Sequence, residues 1–227
     1  MTTGSRPDAP SDSPDLHALL AEAQAALRAS GEREAALRSE LEHRVRNALA
    51  ITRSVFSRTM DNATSVEDAR DHFLGRLDAL ARYQGRIAAM PGYTFDLETM
   101  VWDELMIFGS GNDPRVEVAG PSVQLAHGVA EAIGLALHEL ATNSVKFGVL
   151  GEPASNRRLQ ITWKEQDRSI LFEWAETGVP IVASAPIASG FGREFIEQGL
   201  PYQLGAETEF ELLPGGLVCR IRFRTNG

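Results

Sequence analysis

Leu217-Val218-Cys219-Arg220-Ile221-Arg222-Phe223-Arg224 alternates without a break: Leu217, Cys219, Ile221 and Phe223 fall on one face, Arg220, Arg222 and Arg224 on the other. Successive side chains of an extended chain point to opposite sides, so this period of two predicts a half-buried β-strand over 217–224. Working back from it, β-like runs recur at 116–118, 159–164, 170–174 and 209–213. Helical patterns separate them at 97–108, 129–147 and 193–204. The runs 159–164 and 170–174 stand close enough to form a hairpin. Strands and helices mixed in this way, with adjacent strands as hairpins, predict an α/β sandwich on a largely antiparallel sheet over 92–227.

Upstream of Gly92 the character is different. From Asp15 to about Met60 Ala, Leu, Glu and Arg dominate, Pro is absent, and Gly31 is the one interruption, so the stretch predicts helix with a break or bend at Ser30-Gly31. That sets off an N-terminal helical segment, 15–33. A second helix is expected over Val66–Ala89, with Phe73, Leu77, Leu80 and Ile87 near helical spacing and Pro91-Gly92 ending it. Residues 34–91 thus read as a helical hairpin. Two helices with one apolar stripe each lack a complete core, and a second copy would supply it as a four-helix bundle. The fold class is α+β: a helical hairpin, then a sandwich.

The bulk numbers exclude several roles. The chain has 227 residues, 43% hydrophobic and 23% charged, with 22 basic against 31 acidic side chains and a net charge of −9. An acidic protein without a basic face does not suit nucleic acid. Cys219 is the single cysteine, which fits a reducing cytoplasm. No apolar run approaches the roughly 20 residues of a membrane span. Met1–Pro14, rich in Ser, Asp, Pro and Thr, lacks the apolar segment of a signal peptide and reads as disordered.

Four segments could carry chemistry. In Glu42-His43-Arg44-Val45-Arg46-Asn47, the apolar stripe Leu41, Val45, Ala48, Thr52, Val55 sets the inner face, and His43 lies about 200° from Leu41, pointing away from it. Arg46 and Asn47 share the face of His43, and 44–58 contains arginines and no acid. An imidazole among cations can accept a phosphoryl group, whose charge the arginines would neutralise. In Leu137-His138-Glu139-Leu140-Ala141-Thr142-Asn143-Ser144-Val145-Lys146, a His-Glu-x-x-His zinc motif fails at Thr142. Instead Glu139, Asn143 and Lys146 share one helix face, where an acid, a neutral oxygen and a cation can hold a water, a magnesium ion and a phosphate. Trp174-Ala175-Glu176-Thr177-Gly178-Val179-Pro180 ends a strand with a carboxylate able to accept a hydrogen bond from an adenine amino group. Gly190-Phe191-Gly192 opens a helix whose N–H groups can approach phosphate. Each segment alone is equally an ordinary solvated helix face or turn; their order along the chain gives them weight.

In that order the segments resemble the HWE family of bacterial histidine kinases, within the group sharing the Bergerat ATP-binding fold. His43-Arg44-Val45-Arg46-Asn47 is similar to its phosphoacceptor segment. His138–Asn143 with Lys146-Phe147-Gly148 is similar to its N box, Trp174 and Glu176 to its Trp-x-Glu signature, and Gly190-Phe191-Gly192 to its glycine box. The resemblance covers roughly 36–224. It implies that His43 is the nucleophile, Asn143 the Mg²⁺ ligand, Glu139 a group near the metal and its water, Lys146 a phosphate contact and Glu176 an adenine contact. His138, Trp174, Gly178, Phe191, Gly190 and Gly192 stand with them at the nucleotide, and Glu42 is the neighbouring candidate base. The implied cofactors are ATP and Mg²⁺. The implied partners are an aspartate-bearing response-regulator receiver domain, a second copy of the chain, and a sensor supplied by another protein or by a missing part of this one.

Two departures stand out. The family shows Gly-Gly-Pro after Trp-x-Glu, and here Val179 replaces the second glycine, a strained choice if that position needs φ > 0. The expected lid, Ile181–Ser189, holds no charge. A relay protein with a degenerate ATP site that only passes phosphate through His43, and a Bergerat-type serine kinase, remain the alternatives.

Overall fold

The computed structural model describes residues 13–89, 93–151, 156–179 and 190–226; the side chains of 13–17, 40, 43, 44, 47, 62 and 84–89 lie outside the described set. The chain forms two compact units, Met1–Arg53 and Ser54–Gly227.

The first unit, as far as it is described, is helix. Helix α1 runs Ser13–Asn62 without interruption. The predicted break at Ser30-Gly31 is absent: one glycine costs a helix interior only about 1 kcal/mol, and the Ala, Glu and Arg residues around it favour helix. Of the N-terminal segment read as disordered, 1–12 lies outside the described residues, and Ser13-Pro14 open α1, where proline fits the first turn. Leu19, Leu27, Leu37, Leu41 and Val45 are exposed along it.

In the second unit α1 finishes and α2 (Val66–Ala89) begins, with the boundaries its pattern predicts. Ser65 Oγ accepts the N–H of Asp68 at 3.1 Å and Asp68 Oδ2 accepts that of Thr64 at 3.0 Å, a reciprocal cap on the first turn. Strand β1 (Phe95–Asp96) pairs antiparallel with β3 (Gln124–Leu125). Helix α3 (Leu97–Ile107) is capped by Asp96, which accepts from Thr99 N. The main sheet has the order β2-β4-β5-β7-β6, formed by Val116–Ala119, Arg158–Gln166, Ser169–Thr177, Gly216–Phe223 and Glu207–Leu213. The β2-β4 pairing is parallel and the others are antiparallel, with β4-β5 and β6-β7 as hairpins.

The alternation in 217–224 is realised. Leu217, Cys219, Ile221 and Phe223 are buried, as are Leu159, Ile161 and Trp163 of β4 and Ile170, Phe172 and Trp174 of β5. Against this face lies α4 (His127–Phe147), buried over most of its circumference. The outward face of β7 is covered by charge pairs, Arg220 bonding Glu173 at 2.7 Å and Glu209 at 3.2 Å. The last helical stretch, expected as one helix over 193–204, is α5 (Phe191–Glu194), a π-turn (Phe195–Gly199) and α6 (Leu200–Leu204), ending at Gly205 in the left-handed conformation. A π-turn inserts a residue, so the helix keeps its apolar side on the sheet while Pro201 interrupts the bonding.

Candidate nucleotide-binding site

Helix α4 presents Glu139, Asn143 and Lys146 on one side, as their spacing requires. Glu139 is 3% exposed, Asn143 half-buried and Lys146 exposed. The start of α5 meets this side: a Cβ added to Gly192 would stand 2.6 Å from Glu139 Oε2, so the glycine lets the two segments touch. Gly190 takes the N-cap position of α5, and Phe191 is buried and stacked on Phe195 with centroids 5.8 Å apart.

A second cluster joins the end of β5 to the end of α4. Glu176, 3% exposed, accepts the indole N–H of Trp174 at 2.9 Å and the backbone N–H of Val149 at 2.9 Å. Gly148 abuts the same carboxylate; a Cβ there would be 1.9 Å from Oε2. Phe147, just before it, is 72% exposed. Gly178 has φ +75, and a Cβ on it would strike Asn156 O at 2.1 Å. Val179 has no positive φ; the left-handed residue is Gly178, and Val179 donates its N–H to Gly215 O at 3.0 Å. The strain expected from valine at this place is therefore absent. The expected lid, 181–189, lies outside the described residues.

His138 is held elsewhere on α4. Its Nδ1 is 2.7 Å from Oε1 of buried Glu104 on α3, its ring lies 5.9 Å from that of Phe108, and its Nε2 faces Gly75 of α2. Arg82 pairs with the other oxygen of Glu104. Glu42 is exposed and 3.3 Å from Arg38, one helical turn away. The backbone of His43 belongs to α1, while its side chain lies outside the described set.

Pattern reasoning within α4 missed what α2 contributes. Arg76 is buried and donates to both oxygens of Glu139, at 2.7 and 3.0 Å. Lys146 Nζ lies against His72 Nε2 and 3.7 Å from Asp68 Oδ1. Burial, Lys146 and Arg76 together hold the His72 imidazole below its ordinary value, while the Thr64 amide does the same for Asp68. A signal for them existed: 68, 72 and 76 are spaced by four.

The residues present fit Mg²⁺ and a nucleotide. No group of three His, Cys, Asp or Glu suited to a metal occurs among the described residues. Magnesium bound with a triphosphate takes most of its ligands from phosphate and water, so a neutral amide oxygen such as that of Asn143 meets its need. The glycines at 148, 178 and 192 keep the backbone close where a side chain would intrude.

A five-stranded sheet backed by α4, with a short helix opening at glycines beside it, defines the catalytic fold of histidine kinases. Two solved structures share it. The histidine kinase domain of a blue-light-activated histidine kinase from Erythrobacter litoralis superimposes with a TM-score of 0.51 at 18% identity, over 67% of this chain and 74% of that one. A longer structure of that kinase gives 0.53 at 20% identity, over 82% of this chain and 62% of that one. Within this class the HWE histidine kinase family model matches residues 40–122. Among curated relatives, the blue-light-activated histidine kinase 1 of Erythrobacter litoralis is 31% identical over 203 residues, 86% of this chain and 54% of that protein. The blue-light-activated histidine kinase of Brucella anthropi is 29% identical over 186 residues, 80% of this chain and 37% of that protein. The chain thus spans about half or less of these relatives.

Proposed function

We propose that this chain is the kinase region of a two-component system: it binds Mg-ATP on 92–227, phosphorylates His43 in the hairpin 34–91, and passes the phosphoryl group to an aspartate of a response-regulator receiver domain. The observation that carries the reading is the meeting of two glycine-bearing segments with one helix. Gly192 abuts Glu139, and Gly148 abuts Glu176, so acid, amide, lysine and a buried carboxylate line the C-terminal half of α4. In the reaction a neutral imidazole nitrogen of His43 attacks the γ-phosphorus, and the bond to the β–γ bridging oxygen breaks to release ADP. Asn143 would hold Mg²⁺, Glu139 its water, Lys146 the phosphates and Glu176 the adenine edge; Gly190 and Gly192 leave room for the triphosphate. The exposed leucines of α1 fit pairing of two copies through the hairpin, in a cytoplasmic protein driven by a sensor elsewhere. No helix among the described residues is long and apolar enough to cross a membrane.

The test is incubation with Mg²⁺ and γ-labelled ATP beside His43→Ala and Asn143→Ala. Acid-labile, alkali-stable label on the native chain and on neither variant is the expected result. Acid-stable label would indicate serine phosphorylation and overturn it. Label accepted on His43 only from a phosphorylated receiver would replace the kinase by a relay.

A further inference from the structure

Glu176 is the carboxylate assigned to the adenine edge in the proposed kinase, and the control of its aim rests on that reading. Its Oε1 accepts the Trp174 indole N–H and its Oε2 the Val149 amide. Each carboxylate oxygen can accept two hydrogen bonds, so one place on each is left for a purine amino group. The Val149 amide is one of the two donors that decide where those places point.

A peptide unit is planar, with C=O and N–H pointing opposite ways, so a grip on the oxygen fixes the direction of the hydrogen. The unit that carries the Val149 N–H has the Gly148 carbonyl at its other end, and Arg157 Nη1 donates to that oxygen at 2.9 Å. The next unit is held in the same way. Arg115 Nη1 donates to Val149 O at 2.7 Å, and Ser144 Oγ accepts the N–H of Leu150 at 3.2 Å. Arg115 is itself aimed: Asp113 takes its Nε at 3.0 Å and its Nη2 at 2.6 Å, which leaves Nη1 to the carbonyl. Gly148 has φ −112 and ψ −145, outside the left-handed conformation through which many helices close their last turn. Two cations at the C-terminal end of α4 also suit its dipole.

The sheet brings both arginines to this turn. Arg115 and Arg157 stand immediately before β2 and β4, which pair in parallel and so begin side by side. Leu159 of β4 lies opposite Val116 on one side and Glu176 of antiparallel β5 on the other. The starts of β2 and β4 thus meet the end of β5 and the end of α4.

We propose that Arg157 and Arg115 are positioning residues for nucleotide choice: by fixing the peptide units on either side of Val149 they aim Glu176, and so set a preference for a purine bearing a 6-amino group. They act through the Val149 amide. Loss of either grip lets that amide turn and the carboxylate follow it, while Asn143 and Lys146, set by α4, keep their places.

The test compares calorimetric affinities, with Mg²⁺ present, for ADP and for purine riboside diphosphate, which lacks only the 6-amino group. A hydrogen bond to a charged group should make the native chain prefer ADP by about ten- to a hundredfold. Arg157→Met keeps the apolar stem and should lose about tenfold of that preference, all of it from ADP, and Arg115→Met about as much. Arg157→Lys can still donate to the Gly148 carbonyl and should keep most of it. Should Arg157→Met prove unfolded by circular dichroism, Arg115→Met carries the test. Folded Met variants that keep the native preference, or that lose affinity for both diphosphates alike, overturn the proposal and leave the arginines as braces of the fold. A native chain that binds the two diphosphates equally overturns the adenine role of Glu176, and the aiming with it. A native chain that binds neither overturns the kinase reading.

Discussion

Gly148→Ala is the smallest change that should disturb the candidate site. The added Cβ would stand 1.9 Å from Glu176 Oε2, 2.8 Å from Glu176 Cδ and 2.8 Å from the backbone Cα of Ser144. Neither neighbour can give way easily. Ser144 belongs to α4, and the Glu176 carboxylate is pinned by the Trp174 indole and the Val149 amide. Overpacking of this kind costs about 1–3 kcal/mol. Displacing Glu176 from the Val149 amide also loses a hydrogen bond to a charged group, about 1.5–3 kcal/mol. A total of about 2.5–6 kcal/mol should lower the melting temperature of this unit, roughly 170 residues, by about 5–24 °C.

Thermal or urea unfolding followed by tryptophan emission suits the question, because Trp174 is fully buried and donates to the displaced carboxylate. The sharper test is the cycle with Glu176→Ala. Truncating Glu176 removes the atoms that the new methyl group would strike, so the double variant should be more stable than the sum of single losses by about 1–2 kcal/mol. Additivity within about 0.5 kcal/mol, or a Gly148→Ala protein as stable as the native one, would refute the claim that Gly148 is glycine to make room for Glu176.

Three further outcomes follow from the same geometry. His72 is shielded from protonation by burial and by Lys146 and Arg76, with Asp68 and Glu139 opposing, so its folded value lies below the ordinary one of about 6.5. The folded state then binds fewer protons, and this contribution to stability is complete above about pH 6.5 and lost as pH falls through the lower folded value; a pH titration of unfolding should show His72→Gln without that loss, and an unchanged profile would count against it. Burial pushes the Cys219 thiol up to about 12, so native protein should resist a thiol reagent at a pH of about 8 and react only at the rate of unfolding. Phe147 is largely exposed beside the Gly148–Glu176 contact, and Phe147→Ala should leave the melting temperature unaltered while weakening ATP binding about five- to hundredfold, the worth of one aromatic stack on a base; equal affinity by calorimetry would remove Phe147 from the nucleotide site.

The strands were legible where one face is buried and the other wet. The alternation in 217–224 carries that contrast and is realised to within a residue at each end, while the β4-β5 hairpin is realised with longer strands, 158–166 and 169–177 against the expected 159–164 and 170–174. Helix α2 was equally plain, with a polar connection before it and Pro91-Gly92 after. Where competing local preferences were close, the pattern failed. Gly31 weakens a helix without ending it, and the π-turn at Phe195–Gly199 has no periodicity of its own. At the candidate site, residues linked by helical spacing, Glu139, Asn143 and Lys146, were readable because one turn brings them together. Spacing by four groups Arg76 with Asp68 and His72, but nothing in a single sequence ties it to Glu139, 63 positions away.

The pairs that α2 makes also fix its register. Arg76 meets Glu139, and Arg82 meets Glu104, which in turn holds His138, the residue next to Glu139 on α4. Adjacent helix positions point about 100° apart, so α2 must reach two different sides of α4, one directly and one through α3. Buried ion pairs add little net stability against apolar residues of the same shape, because desolvation offsets their attraction. Leaving one partner buried alone, however, costs about 3–5 kcal/mol. Sliding α2 by one turn would orphan Arg76, Glu139 and Glu104 together, so intermediate registers are excluded. An apolar stripe in the same place would tolerate slippage and hold α2 in many similar positions; arginines opposite acids fix one register.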